Sequence, residues 1–195
     1  MANIDPFEQA LIEEGIVGTP LEAIERSTRM RESGGKIDAV SNRGARGLMQ
    51  VMPGTFGDMA DAGWDINNPT HNTRAGLRYL KKAYEAANGD VALTGTYYYG
   101  GPGGMAKAKQ NIAVSDPKNP DYPTTLEYGR RLADDVAKFL LPSASASTLP
   151  PDTQPQPKAG CLTATAEISP QLAYAPTFLK QALASMQGNV NNPNR

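Results

Sequence analysis

Between residues 72 and 87, Ala75, Leu77, Leu80, Ala83, Tyr84 and Ala87 recur at helical spacing. A segment patterned in this way has one apolar face and must bury it against other elements. Proline and glycine divide much of the remaining sequence into further helices. Thr19-Pro20 is a helix-start signal, with Thr19 as N-cap and Pro20 in the first helical position. Leu21, Ile24, Thr28 and Arg31 then share a face, Glu32 sits beside them, and Gly34-Gly35 ends the helix. A short helix is expected over 6–14. Residues 36–46 read as loop, and 47–61 as a second helix entered at Pro53-Gly54-Thr55. Residues 65–69 read as a turn. Pattern alone leaves 90–99 as helix or strand. The run "GGPGG" at 100–104 reads as loop, 105–112 as a short helix, 115–125 as an irregular connector and 125–141 as a last helix. The expected class is mainly α.

The composition changes at Pro142. Residues 142–160, "PSASASTLPPDTQPQPKAG", are rich in Pro, Ser and Ala and hold too little apolar surface to fold alone. Four segments are expected: an acidic arm at 1–17, a folded domain at 18–141, a linker at 142–160 and a tail at 161–195. The formal net charge of −1 creates no bulk field that would select nucleic acid. Residues 1–20 carry Asp5, Glu8, Glu13 and Glu14 and no base, whereas residues 21–140 hold 16 bases against 14 acids. Cys161 is the single cysteine, so no internal disulfide is possible. The first residues, "MANIDPFEQALIEEGIVG", lack the basic and apolar regions of a standard signal peptide, and no apolar run has the length of a membrane span. These features lead to an expectation of synthesis in the cytoplasm and export by another route.

The stretch "RMRESGGKIDAVSNRGARGLMQVMPGTF" at 29–56 places one carboxylate, Glu32, at a helix end and returns Gln50 behind it. Breaking a glycosidic bond needs an acid that protonates the leaving oxygen. A carboxylic acid can do this near neutral pH only if its pKa is raised, by apolar burial or by the negative end of a helix dipole. Glu32, roofed by Leu48, Met49 and Val51, could have both. Gln50 would be an uncharged donor and acceptor able to bind a sugar amide. Other polar features carry less. His71, the only histidine, leads into a helix with no metal-ligand spacing around it, which suggests a surface or capping role. Asp58, Asp61 and Asp65 read as solvated. Trp64 could stack on a sugar but reads first as core. "GGPGG" lacks the Gly-Lys-Ser/Thr ending of a phosphate loop.

Glu32-Ser33-Gly34, Ser41, Gly44-Ala45 and "GLMQVMPGT" at 47–55 together resemble the signature of the soluble lytic transglycosylase family. The resemblance continues in order through "NPTHNTRAGLRYL" at 68–80, "YYYGGPGG" at 97–104 and "TTLEYGRRLADDV" at 124–136. It implies a lysozyme-like helical catalytic domain, with the Pro-rich tail as an extension. It implies that Glu32 is the sole catalytic acid/base and that Ser33 is its neighbour in the cleft. Met49 and Gln50 would line the groove, Tyr98 would match the tyrosine of the third block, and Tyr128 the late tyrosine that faces the glutamate. The substrate implied is peptidoglycan, cut between N-acetylmuramic acid and N-acetylglucosamine with closure of a 1,6-anhydro ring. No metal or cofactor is needed. The chain departs from the family pattern at two places. Tyr99 replaces the usual asparagine and offers a stacking ring instead, and Thr124 replaces a glutamate, with Glu127 nearby.

The setting expected from these features is a phage particle that delivers the enzyme to the host envelope, with residues 142–195 docking on other virion or envelope-machine subunits. Alternatives are a muramidase that hydrolyses the same bond, a structural virion or ejection-channel protein that retains the fold, and a non-catalytic glycan-binding module.

Overall fold

A computed structural model describes residues 4–141, and the chain divides at this point into units Met1–Leu141 and Pro142–Arg195. The expectations for 142–160 and 161–195 therefore lie outside the described residues. The described residues form six helices: α1 (Pro6–Glu13), α2 (Pro20–Ser33), α3 (Pro53–Met59), α4 (Pro69–Ala86), α5 (Val91–Ala108) and α6 (Thr125–Leu140). The mainly α expectation holds for them.

Most of the helices begin where the sequence supplies a proline or a capping side chain. Pro6, Pro20, Pro53 and Pro69 occupy first-turn positions, where a missing N–H costs nothing. Asp5 accepts from the Phe7 N–H, Asn68 from the Thr70 and His71 N–H groups, and Asp90 from the Leu93 N–H. Thr124 and Glu127 form a reciprocal capping box on α6. Glu127 is thereby committed to the helix start. Thr19 differs from its expected role: its hydroxyl donates to the Ile16 carbonyl at 2.6 Å and caps nothing in α2. Gly34 ends α2 in the left-handed conformation, φ 62°, and its N–H donates to the Met30 carbonyl.

The core gathers Phe7, Leu11, Ile24, Leu48, Met49, Leu77, Leu80 and Leu132, all essentially inaccessible. Residues 6–13, expected to belong to a separate arm, are part of this core. Phe7, Ala10 and Leu11 are fully buried, and Phe7 and Leu11 each contribute roughly 1.5–3 kcal/mol by burial. Around them Glu13 and Glu14 pair with Arg74 of α4, and Glu14 also pairs with Arg78.

The α5–α6 pair has the most extensive contact between helices. Two glycines allow the close crossing. A Cβ on Gly95 would lie 3.0 Å from the Gly129 Cα, and a Cβ on Gly129 would collide with the Ala92 carbonyl. Tyr128 precedes Gly129, and Tyr99 follows Gly95 by one helical turn, so this crossing sets where both rings meet.

Three expected elements are corrected. Residues 47–52 are not helical. They form a tight turn tied by the bridges Val40–Arg46 and Arg46–Val51. Leu48, Met49 and Val51 read as a helical face, but Gly47 and Gln50 adopt positive φ values, 75° and 46°, which an α-helix excludes. The helix starts at Pro53. "GGPGG" is likewise not a free loop, because α5 runs through it with a kink. Gly101 alone leaves helical geometry (φ 66°, ψ −173°), and Pro102 then opens a new first turn; the separate helix expected over 105–112 is the end of α5, which stops at Ala108. Helix α4 also begins at Pro69 rather than residue 72, because Asn68 caps it.

Candidate active site

Glu32 occupies the last turn of α2, where the helix dipole is negative and the left-handed Gly34 turns the chain away. Its side chain points at α6, and the Tyr128 hydroxyl donates to Oε1. Tyr128 is only 4% exposed. Burial raises the Glu32 pKa above the ordinary carboxylate range, while the Tyr128 hydrogen bond and the Arg31 charge pull the other way. Among the described residues no second carboxylate contributes to this shift. Burial also pushes the phenols of Tyr98 and Tyr128 well above their ordinary value. The site therefore holds one protonatable carboxyl against two phenols that stay neutral across the physiological range.

The turn at 47–52 is fastened to this helix end. The Ser33 hydroxyl lies 2.9 Å from the Leu48 carbonyl and 3.2 Å from the Arg29 carbonyl as donor, and accepts from the Gly35 N–H at 3.1 Å. Ser33 thus holds the end of α2 to the turn. Tyr98 of α5 donates to the Met49 carbonyl at 2.6 Å and fixes the same turn from the other side. Met49, expected to line the groove, is instead 0% exposed. Its side chain fills the core, and its carbonyl is what meets the site tyrosine. Gln50 is partly exposed, but its amide nitrogen is committed to the Ala39 and Gly47 carbonyls at 3.2 and 3.1 Å. The donor half of the expected Gln50 contact with a sugar amide is thus taken up inside the protein. Holding the turn offsets a left-handed backbone that costs about 1–2 kcal/mol.

Tyr99 stacks on Tyr128 with ring centroids 4.6 Å apart and planes 7° apart, and it is 36% exposed. Two residues that the sequence reading did not single out complete the setting. Arg31 places its guanidinium 5.7 Å from the Tyr128 ring centroid and pairs with Asp135 of α6. Arg43, in the 36–52 loop, pairs with Asp116 of the 109–124 connector at 2.9 Å. The remaining candidates take structural roles. His71 Nδ1 accepts from the Asp65 N–H at 3.2 Å, and its ring stacks on Trp64. Asp61 pairs with Arg78 at 2.8 Å. Among the described residues no group of three His, Cys, Asp or Glu is placed to hold a metal ion, and no helix is long and apolar enough to cross a membrane.

The sequence was compared with protein families and the fold with solved structures. The transglycosylase SLT domain family matches residues 27–119, which contain Glu32, the 47–52 turn, Tyr98 and Tyr99 but stop short of Tyr128. A lytic transglycosylase Slt from Pseudomonas aeruginosa, solved as an inactive mutant, shares the fold with a TM-score of 0.53 at 21% identity over 69% of this chain. The 70 kDa soluble lytic transglycosylase from Escherichia coli gives 0.53 at 20% identity over 69%. The 70 kDa soluble lytic transglycosylase in complex with bulgecin A gives 0.51 at 19%, also over 69%. This chain spans only 23–24% of the length of those proteins, so the likeness is one of a single domain. The family match covers residues 27–119, just under half of the 195 residues, and this region is what resembles the transglycosylase SLT domain family.

Proposed function

We propose that the domain is a peptidoglycan lytic transglycosylase in which Glu32 acts first as acid and then as base. The observation that carries this reading is the Glu32 carboxyl itself, raised by burial at a helix end, held by the Tyr128 hydroxyl and unaccompanied by a second carboxylate among the described residues. Ordinary glycosidases use two carboxylates, one for protonation and one for water or the anomeric carbon. A single carboxylate suffices if the second nucleophile belongs to the substrate. Protonated Glu32 gives its proton to the oxygen between N-acetylmuramic acid and N-acetylglucosamine as the C1–O bond breaks. The ionised Glu32 then takes the proton of the muramic C6 hydroxyl, whose oxygen closes on C1. The product carries a 1,6-anhydro ring, the proton returns to Glu32, and no water is consumed. The structural neighbours support the assignment, since one of them is an inactive Glu-to-Gln mutant of a lytic transglycosylase.

Mass spectrometry of muropeptides released from purified peptidoglycan tests the reading. Wild type is expected to release anhydro ends and Glu32→Gln nothing. Reducing ends, heavier by one water, would make the protein a muramidase. Binding that survives Glu32→Gln, without cleavage by the wild type, would make it a glycan-binding module.

The finer setting we propose is a phage particle that delivers the enzyme to the envelope, with residues 142–195 as the segment that tethers it to other virion subunits. The Pro/Ser/Ala-rich composition of 142–160 supports a tether. Immunoblots of purified particles check it, and a protein absent from particles but free in the periplasm overturns it.

A further inference from the structure

Tyr99 stands where the family resemblance leads to an asparagine, and its ring is not simply turned to solvent. It stacks on Tyr128, the residue whose hydroxyl donates to Glu32. The Arg31 guanidinium also lies over the Tyr128 ring and is itself held by Asp135. The Gly95–Gly129 contact brings α5 and α6 together one turn from Tyr99, which places its ring beside Tyr128. The groups around the stack come from every side. Glu32 and Arg31 come from α2, Tyr98 from α5, Arg43 from the 36–52 loop, and Asp116 and Tyr122 from the connector before α6.

We propose that Tyr99 is a positioning residue: by stacking on Tyr128 it holds the Tyr128 hydroxyl on Glu32 and fixes the direction in which the Glu32 carboxyl faces the scissile oxygen. The proposal rests on the transglycosylase reading of this site. The Tyr128 oxygen lies on the axis of ring rotation, but its O–H bond prefers the ring plane, so a neighbour stacked on one ring face fixes that plane and with it the direction in which the hydroxyl donates. Proton transfer is efficient only when donor and acceptor are held within hydrogen-bond reach in the right orientation. The phenol oxygen of Tyr99 has no part in this, so a phenylalanine would serve as well. A sugar platform makes the opposite demand, because its contribution would appear in substrate binding.

The test uses the full chain and soluble glycan strands prepared from purified peptidoglycan. Tyr99→Ala is expected to lower kcat roughly tenfold and to leave KM within about twofold. Tyr99→Phe is expected to retain wild-type kcat. In a Tyr128→Phe background, Tyr99→Ala is expected to add no further loss. A raised KM with intact kcat would overturn the proposal in favour of a substrate platform, and a loss that adds fully to that of Tyr128→Phe would overturn it by showing that Tyr99 acts independently. If the wild type releases no product, the transglycosylase reading fails by itself, and a second measurement decides the positioning. That measurement is carbon-13 NMR titration of the Glu32 side-chain carboxyl, assigned by Glu32→Gln. Tyr99→Ala is expected to move its midpoint, Tyr99→Phe to leave it in place, and Tyr128→Phe to remove the effect. A midpoint unmoved by Tyr99→Ala overturns the proposal.

Discussion

Glu25 and Glu32 lie seven residues apart on α2, about 10 Å along its axis and on nearly the same face. Burial raises the pKa of both. Their surroundings differ in every other respect. Glu32 receives the Tyr128 hydroxyl and lies beside Arg31. Glu25 is 0% exposed, neither carboxyl oxygen has a hydrogen-bond partner among the described residues, and Glu14 and Glu22 push its pKa further up while Lys81 pulls it down. A perturbed carboxyl is thus not by itself a sign of chemistry. A donor aimed at it from another helix is what distinguishes Glu32 and supports its proposed role. A carboxyl with no donor is a cost that the rest of the core must offset.

The strongest test of this contrast exchanges the two losses. Glu32→Gln is expected to reduce cleavage by at least about a thousandfold, the upper part of the range for a general acid, while Glu25→Gln leaves cleavage near wild type. Equal losses in activity would break the contrast. Stability gives the next largest effect. Glu25→Leu is expected to raise unfolding free energy at neutral pH by about 1–4 kcal/mol, as apolar replacement of buried charge does. The sign follows from linkage. A folded-state pKa above the unfolded value means that the folded chain holds the proton after the unfolded chain has lost it. The ionisation part of the Glu25 cost is therefore absent at pH below the ordinary carboxylate range and grows as pH rises through it. Urea titrations of both proteins across that range should show the smallest difference in acid and a widening one above it. Tyr128→Phe tests the donor itself. That hydrogen bond lowers the Glu32 pKa, so its removal is expected to raise it and move the alkaline limb of the kcat/KM profile upward. Ser33→Ala is expected to have the smallest effect, about 1 kcal/mol of stability from one hydrogen bond, read by thermal unfolding.

The sequence made the acid legible because its placement is local. A helix start at Pro20, a stop at Gly34 and a glutamate beside that stop are readable without the fold, and the family resemblance is what separates Glu32 from Glu22 and Glu25 of the same helix. Tyr128 was legible only through the resemblance, since nothing in residues 125–141 says which face meets α2. The stack of Tyr99 on Tyr128 was legible only as a ring without a partner, because it depends on the Gly95–Gly129 crossing, a contact between residues distant in sequence. The 47–52 turn was misread because its apolar residues carry a helical pattern, whereas the two positive φ values that shape it leave little sign at Gln50. Arg31 was seen only as part of a helical face. Glu25 escaped notice although it stands one turn from Leu21 and Thr28 on the buried side of α2, where a polar residue could have been flagged.

Trp64 is the chain's one tryptophan. Its ring lies 4.5 Å from the guanidinium carbons of both Arg74 and Arg78 and stacks on His71 at 5.3 Å. The same two arginines grip the acids at the end of α1. Intrinsic fluorescence of the folded unit therefore reports whether α1 is seated on α4. The rings around Glu32 are tyrosines, and Trp64 makes no ring contact with Tyr98, Tyr99 or Tyr128 among the described residues. On the proposed function, glycan bound beside Glu32 is expected to leave the tryptophan signal unchanged, so a flat binding curve at that wavelength would say nothing about occupancy. A reporter for the cleft must be placed on α5 or α6.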